Sequence, residues 1–139
     1  MGELELAYSQ LFGNPESRAW RPYLWLELQT PHGPYRVQGL LDSGADRTTL
    51  SLDMMRRLGY TAGTTVPAEA STVAGPFDVH HAIEPIKANL PGIDETFDIT
   101  PTFGANSPIL WGRFDVFQAF TITFSEARRE FGLTRNRAS

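Results

Sequence analysis

Glycine and proline punctuate this chain so often that long helices have nowhere to form. The 139 residues include 12 Gly and 10 Pro. Several fall in clusters that read as turns, at Pro31-His32-Gly33-Pro34, Gly75-Pro76 and Pro91-Gly92-Ile93-Asp94-Glu95. Between the clusters lie short runs of bulky apolar and β-branched residues, several of them alternating with polar ones. Such runs suit strands of a pleated, half-buried sheet. The pattern predicts a mainly β barrel or sandwich with one or two short helices.

Along the chain, Tyr23 to Gln29 (YLWLELQ) and Tyr35 to Leu41 flank the Pro31–Pro34 turn and predict a hairpin. Ser51 to Tyr60 (SLDMMRRLGY) predicts a helix capped by Ser51 and ended by Gly59, with Leu52, Met55 and Leu58 facing the core. Ser71 to Ala74 and Phe77 to Ile83 predict a second hairpin turning at Gly75-Pro76. Ile86 to Leu90, Phe97 to Phe103, Ile109 to Trp111 and Thr121 to Phe124 read as strands, Asp115 to Phe120 as a short helix, and Arg128 to Leu133 as a returning strand. Residues 1–19 are expected to be an N-terminal arm or a first strand, and residues 20–139 one domain.

Composition removes several classes of function. The chain has no cysteine, which rules out disulfides, thiolate nucleophiles and cysteine-held zinc. A formal charge of −4, with no basic cluster beyond Arg128-Arg129, argues against nucleic acid as a partner. No apolar run approaches the ~20 residues of a membrane span. The opening MGELELAYSQ is acidic, unlike a signal peptide, and Leu6 stands where a myristoylation motif needs Ser or Thr. The expectation is a soluble, cytoplasmic protein.

Two short motifs point to chemistry. Leu40-Leu41-Asp42-Ser43-Gly44-Ala45-Asp46 carries an apolar run straight into a turn that begins with a carboxylate. Further on stands Ile109-Leu110-Trp111-Gly112-Arg113. Together, at this spacing and in a short β-rich chain, they resemble the retroviral-type, or retropepsin-like, aspartic proteases, most closely the bacterial single-domain members. The resemblance spans roughly residues 20–133. It implies a closed acid-protease β-barrel, hydrolysis of polypeptides and no metal or organic cofactor. It also implies that Asp46 and Arg113 form an internal ion pair beside the site, that Leu110 lines a pocket, and that the hairpin at Gly75 and Pro76 is a flap over the substrate.

The residue types suit that chemistry. Peptide hydrolysis needs a nucleophilic water and a polarised carbonyl, and two close carboxylates sharing one proton supply both. Asp42 is the candidate catalytic carboxylate. Ser43 can lock the turn, the Gly44 amide can hydrogen-bond the carboxylate, and Ala45 completes the turn. Only one such motif is present, because Asp98-Ile99-Thr100 lacks the glycine. Two aspartates therefore require two chains, and a two-fold axis would bring Asp42 to its mate in a homodimer. A different class of reading keeps the fold without turnover, as a peptide-binding or dimerisation module. Two departures from the family pattern stand out. Trp111 is bulkier than the usual aliphatic residue and needs a partner for its N–H. Phe114 reads as an insertion before Asp115.

Other signals are weak. His80 and His81 are adjacent and would point to opposite faces of a strand, so a shared metal is not expected. No nucleophile-elbow sequence supports a Ser-His-Asp site.

Overall fold

The computed structural model describes residues 3–13, 19–73 and 75–137. Asn14 and Pro15 of the expected arm, and Ala74 in the expected hairpin, lie outside these. The fold is mainly β with two short helices. Among the described residues no helix is long and apolar enough to cross a membrane.

The first hairpin pairs β2 (Tyr23–Thr30) with β3 (Gly33–Leu41) along its whole length, from Tyr23 opposite Leu40 to Thr30 opposite Gly33. Leu24, Leu26 and Leu28 alternate inward, as a strand with one buried face requires. The turn is tight because Gly33 takes φ +102° and the Thr30 hydroxyl donates to the Gly33 carbonyl at 2.7 Å.

After the Asp42 turn comes β4 (Thr49–Ser51), then one helical turn, α1 (Met54–Arg57). The expected helix from Ser51 is therefore corrected. Ser51 sits in β4, paired with Gly104, and Asp53 holds the cap position. Leu58 is buried as expected and Met55 packs partly buried against the core, but Leu52 is exposed and Met54 takes its place inside. Gly59 ends the turn with φ +90°.

A second long hairpin joins β5 (Thr65–Thr72) to β6 (Gly75–Ala82), with Thr72 opposite Gly75. Gly75-Pro76 thus open β6 rather than forming the connection. Gly75 takes φ +113°, the conformation that closes such a turn. Next come β7 (Ile86–Asn89), β8 (Phe97–Ile99), β9 (Thr102–Gly104) and β10 (Leu110–Trp111). The predicted Phe97–Phe103 strand is split at Pro101, which has no N–H to continue the ladder. The last elements are α2 (Val116–Ala119), β11 (Phe120–Ser125) and β12 (Glu130–Arg135).

Among the described residues, nine strands form one curled sheet in the order β5-β6-β9-β4-β10-β3-β2-β7-β8. The N-terminal strand β1 (Glu3–Ala7) pairs with β12, and with β11 they make a separate three-stranded sheet. The expected closed barrel is thus corrected to an open, curled sheet with ends at β5 and β8. Side chains rather than strand pairing cover the β8 end. Phe97 meets Phe120 edge-on at 5.2 Å, and the Arg135 guanidinium lies 5.6 Å from both rings while donating to the Thr96 carbonyl. One contiguous core, including Leu26, Leu50, Ile99, Phe103, Trp111 and Leu133, joins both sheets.

Candidate active site

Strand β3 ends at Leu41, which is buried, and hands the chain to Asp42, which is half-buried at the lip of the sheet. Ser43 and Gly44 are exposed and Ala45 half-buried. The Ala45 amide donates to the Asp42 carbonyl at 3.1 Å, closing a turn. The Gly44 amide donates to the Asp42 Oδ1 at 2.9 Å. A side chain pinned by its own turn in this way cannot rotate freely, so the carboxylate direction is fixed by the backbone. A Cβ on residue 44 would come to 3.2 Å from that same oxygen, so glycine keeps the approach open.

The second motif lies directly alongside. Strand β10 runs parallel to β3, with Leu110 opposite Leu40 and Trp111 opposite Leu41. On its other side it pairs with β4. The Asp42 amide donates to the Trp111 carbonyl at 3.2 Å. The turn therefore bridges two strands that are not neighbours, with β10 lodged between them. Leu110 is half-buried in that wedge.

Close packing explains the motif residues. A Cβ on residue 112 would lie 2.4 Å from the Arg47 carbonyl carbon and 2.7 Å from the Thr48 nitrogen, so only glycine fits between strand and turn. Trp111 is fully buried, and its Nε1 donates to the Leu24 carbonyl at 2.8 Å. Its ring lies over Gly39, where a Cβ would approach to 2.6 Å. The larger aromatic is thus accommodated by a glycine within β3, a pairing that the sequence left unmarked.

Asp46 and Arg113 do meet, Nη1 to Oδ1 at 3.4 Å, but both side chains are more than half exposed. The expected internal pair is a surface contact, because the turn holds these residues through their backbones instead. The Arg113 amide donates to the Ala45 carbonyl and the Phe114 amide to the Asp46 carbonyl, each at 2.9 Å. Phe114 itself is exposed, which fits an inserted residue.

The buried fastening belongs to Thr48 and Asp115, which the sequence reading passed over. Thr48 is fully buried. Its hydroxyl donates to Asp115 Oδ1 at 2.6 Å and accepts the Gly112 amide at 3.0 Å. Asp115 Oδ1 also accepts the Val116 amide at 2.7 Å, capping α2, and Oδ2 takes the Thr100 amide at 3.3 Å. Burial pushes the Asp115 carboxyl above its usual range, against these hydrogen bonds, which pull it down. The available signal was an aspartate immediately before a short apolar helix, which marks an N-cap.

The β5–β6 hairpin roots next to this assembly. Val79, His80 and His81 pair with β9, and β9 pairs with β4. Beyond them, Gly75–Asp78 pair with β5 alone, so the outer hairpin stands clear of the sheet with Pro76 and Val73 exposed. At the root, His81 Nδ1 lies 2.7 Å from the Thr102 hydroxyl. Burial, with the Arg47 charge, lowers its pKa. His80 and His81 occupy successive positions of β6 and so face opposite sides. No group of three or more His, Asp or Glu among the described residues is placed to hold a metal ion.

A scan against protein-family models finds no match to the chain, and a search of curated proteins finds none either.

Proposed function

We propose that the protein is an aspartic endopeptidase of the retropepsin type, acting as a homodimer in which Asp42 of each chain shares one site. The observation that carries this reading is the Asp42-Ser43-Gly44 turn, wedged open by β10 and holding its carboxylate on the Gly44 amide at 2.9 Å. A surface turn needs no such scaffold. A carboxylate that must meet a partner in one geometry does.

In the proposed reaction one Asp42 is ionised and takes a proton from water, while its mate stays protonated and hydrogen-bonds the scissile carbonyl. The two carboxylates share one proton between them. Ser43 and Ala45 shape the turn, and Leu110 flanks it. The substrate is an extended polypeptide that hydrogen-bonds as an added strand beneath the β5–β6 hairpins. Closure of those hairpins excludes water.

The test combines a variant with a dilution series. Asp42→Asn should retain its melting transition and lose cleavage of a denatured protein substrate, because an amide cannot act as the base. Activity per wild-type chain should fall as dilution dissociates the dimer. Cleavage by Asp42→Asn near the wild-type rate, or undiminished activity from a sedimenting monomer, would refute the shared dyad. Peptide binding without cleavage, indifferent to Asp42→Asn, would instead make this a binding module.

A further inference from the structure

A second feature lies outside the proposed active site. The tip of the β2–β3 hairpin and the short helix α1 enclose a cleft of about 680 Å³, lined by residues that include His32, Tyr35, Asp53, Arg56 and Arg57. Its walls are fixed. The Thr30 hydroxyl accepts the His32 amide at 3.0 Å while bonding across the turn to Gly33. Pro31 packs so closely on Gly59 that a Cβ there would meet its Cγ at 2.8 Å. The Arg57 guanidinium rests 4.8 Å from the Tyr35 ring centroid, which holds its plane and leaves its N–H edges free.

Two guanidinium groups without a carboxylate partner line this one cleft. Elsewhere Arg36, Lys87, Arg113, Arg128 and Arg135 each meet a carboxylate, while Arg21, Arg47, Arg129 and Arg137 meet none among the described residues and line no cleft with a second such arginine. Among the described residues the side chains of Arg56 and Arg57 have neither a hydrogen bond nor an ion pair, although the chain carries more acidic than basic residues. Even Asp53, on the same cleft, pairs with neither. Two guanidinium groups offer about ten N–H donors between them, in planar forks that match phosphate oxygens.

We infer that this cleft binds a small phosphate-bearing molecule, with Arg56 and Arg57 on the phosphate and Tyr35 and Pro34 against the remainder. Its volume falls within the ~300–1,000 Å³ of small-molecule sites, more than a bare phosphate fills. Asp53 opposes the bound anion and limits its affinity. Because both arginines face solvent, binding weakens as salt rises.

Calorimetric or NMR titration of the whole chain at fixed ionic strength tests this, using inorganic phosphate, adenosine monophosphate and adenosine as probes. The monophosphate should bind more tightly than inorganic phosphate, and adenosine should not bind. Arg56→Gln and Arg57→Gln should each weaken binding about tenfold, and Asp53→Asn should tighten it several-fold. Arg36→Gln, which lies outside the cleft, should change nothing. These side chains are exposed, so melting temperatures without ligand should stay close to the wild-type value, Arg57→Gln losing at most a few degrees with its Tyr35 contact. Absence of saturable binding to both wild type and Asp53→Asn would overturn the inference. So would adenosine binding as tightly as its monophosphate, or affinity unchanged in both arginine variants. None of these readouts depends on proteolysis, so the cleft and the Asp42 site stand or fall separately.

Discussion

Gly112→Ala is the sharpest probe of how the Asp42 turn is built. The added methyl would sit 2.4 Å from the Arg47 carbonyl carbon, 2.6 Å from its oxygen and 2.7 Å from the Thr48 nitrogen. Carbon contacts are comfortable at about 3.5–4.0 Å, so strand and turn must part by roughly 1 Å. All three obstructing atoms are backbone, and no rotamer change relieves them. The overpacking should cost about 1–3 kcal/mol. For a domain of this size that lowers the melting temperature by roughly 3–12 °C. The moved atoms belong to the segment leading back to Asp42, and in the proposed protease reaction a 1 Å displacement there should cost on the order of a hundredfold in rate. Thermal melting and cleavage of a denatured protein substrate are the two assays. Gly63→Ala is the control, since its nearest contact would be 3.7 Å away and its backbone is not left-handed. A Gly112→Ala protein that melts and cleaves like Gly63→Ala would refute the wedge.

Three further predictions follow from the same geometry. Arg113→Ala and Asp46→Ala should each cost no more than about 1 kcal/mol, because the pair is exposed, and a melting-temperature double-mutant cycle should show little coupling. Thr48→Val keeps the shape but strands the Gly112 amide and one Asp115 contact, so denaturant unfolding should show a loss of about 1–3 kcal/mol. The His81 pKa is lowered in the fold, so its stabilising contribution is full above the ordinary imidazole range and is lost as pH falls toward the depressed value; pH-dependent melting should lose that component in His81→Gln.

Much of the scaffold was legible because its signals were local. Alternating leucines in Tyr23–Thr30 and the Pro31–Pro34 turn mark the first hairpin, and the Asp-Ser-Gly stretch marks a turn at a strand end. What stayed hidden depends on distant neighbours. Gly39 looks like a weak point in a strand until Trp111 lies across it. Thr48 looks like one of several polar turn residues until Asp115 and Gly112 meet its hydroxyl. The helix from Ser51 failed because β9 offers Thr49–Ser51 a strand partner, and pairing overrides capping preference. Burial of the Asp46–Arg113 pair could not be read from spacing, since exposure is a property of the assembled surface.

The lodging of β10 between β3 and β4 also sets when the turn can be seated. Thr48 and Asp115 are 67 positions apart, and β1 waits for β12 at the far end. Loops of that length must close before any of these contacts reward them, so folding belongs with the slower, non-local β topologies. A growing chain that has not yet supplied Gly112 and Asp115 lacks the strand on which the Asp42 turn rests. The turn can close on itself early, but its seat against β10 forms only once residues 111–115 have been made.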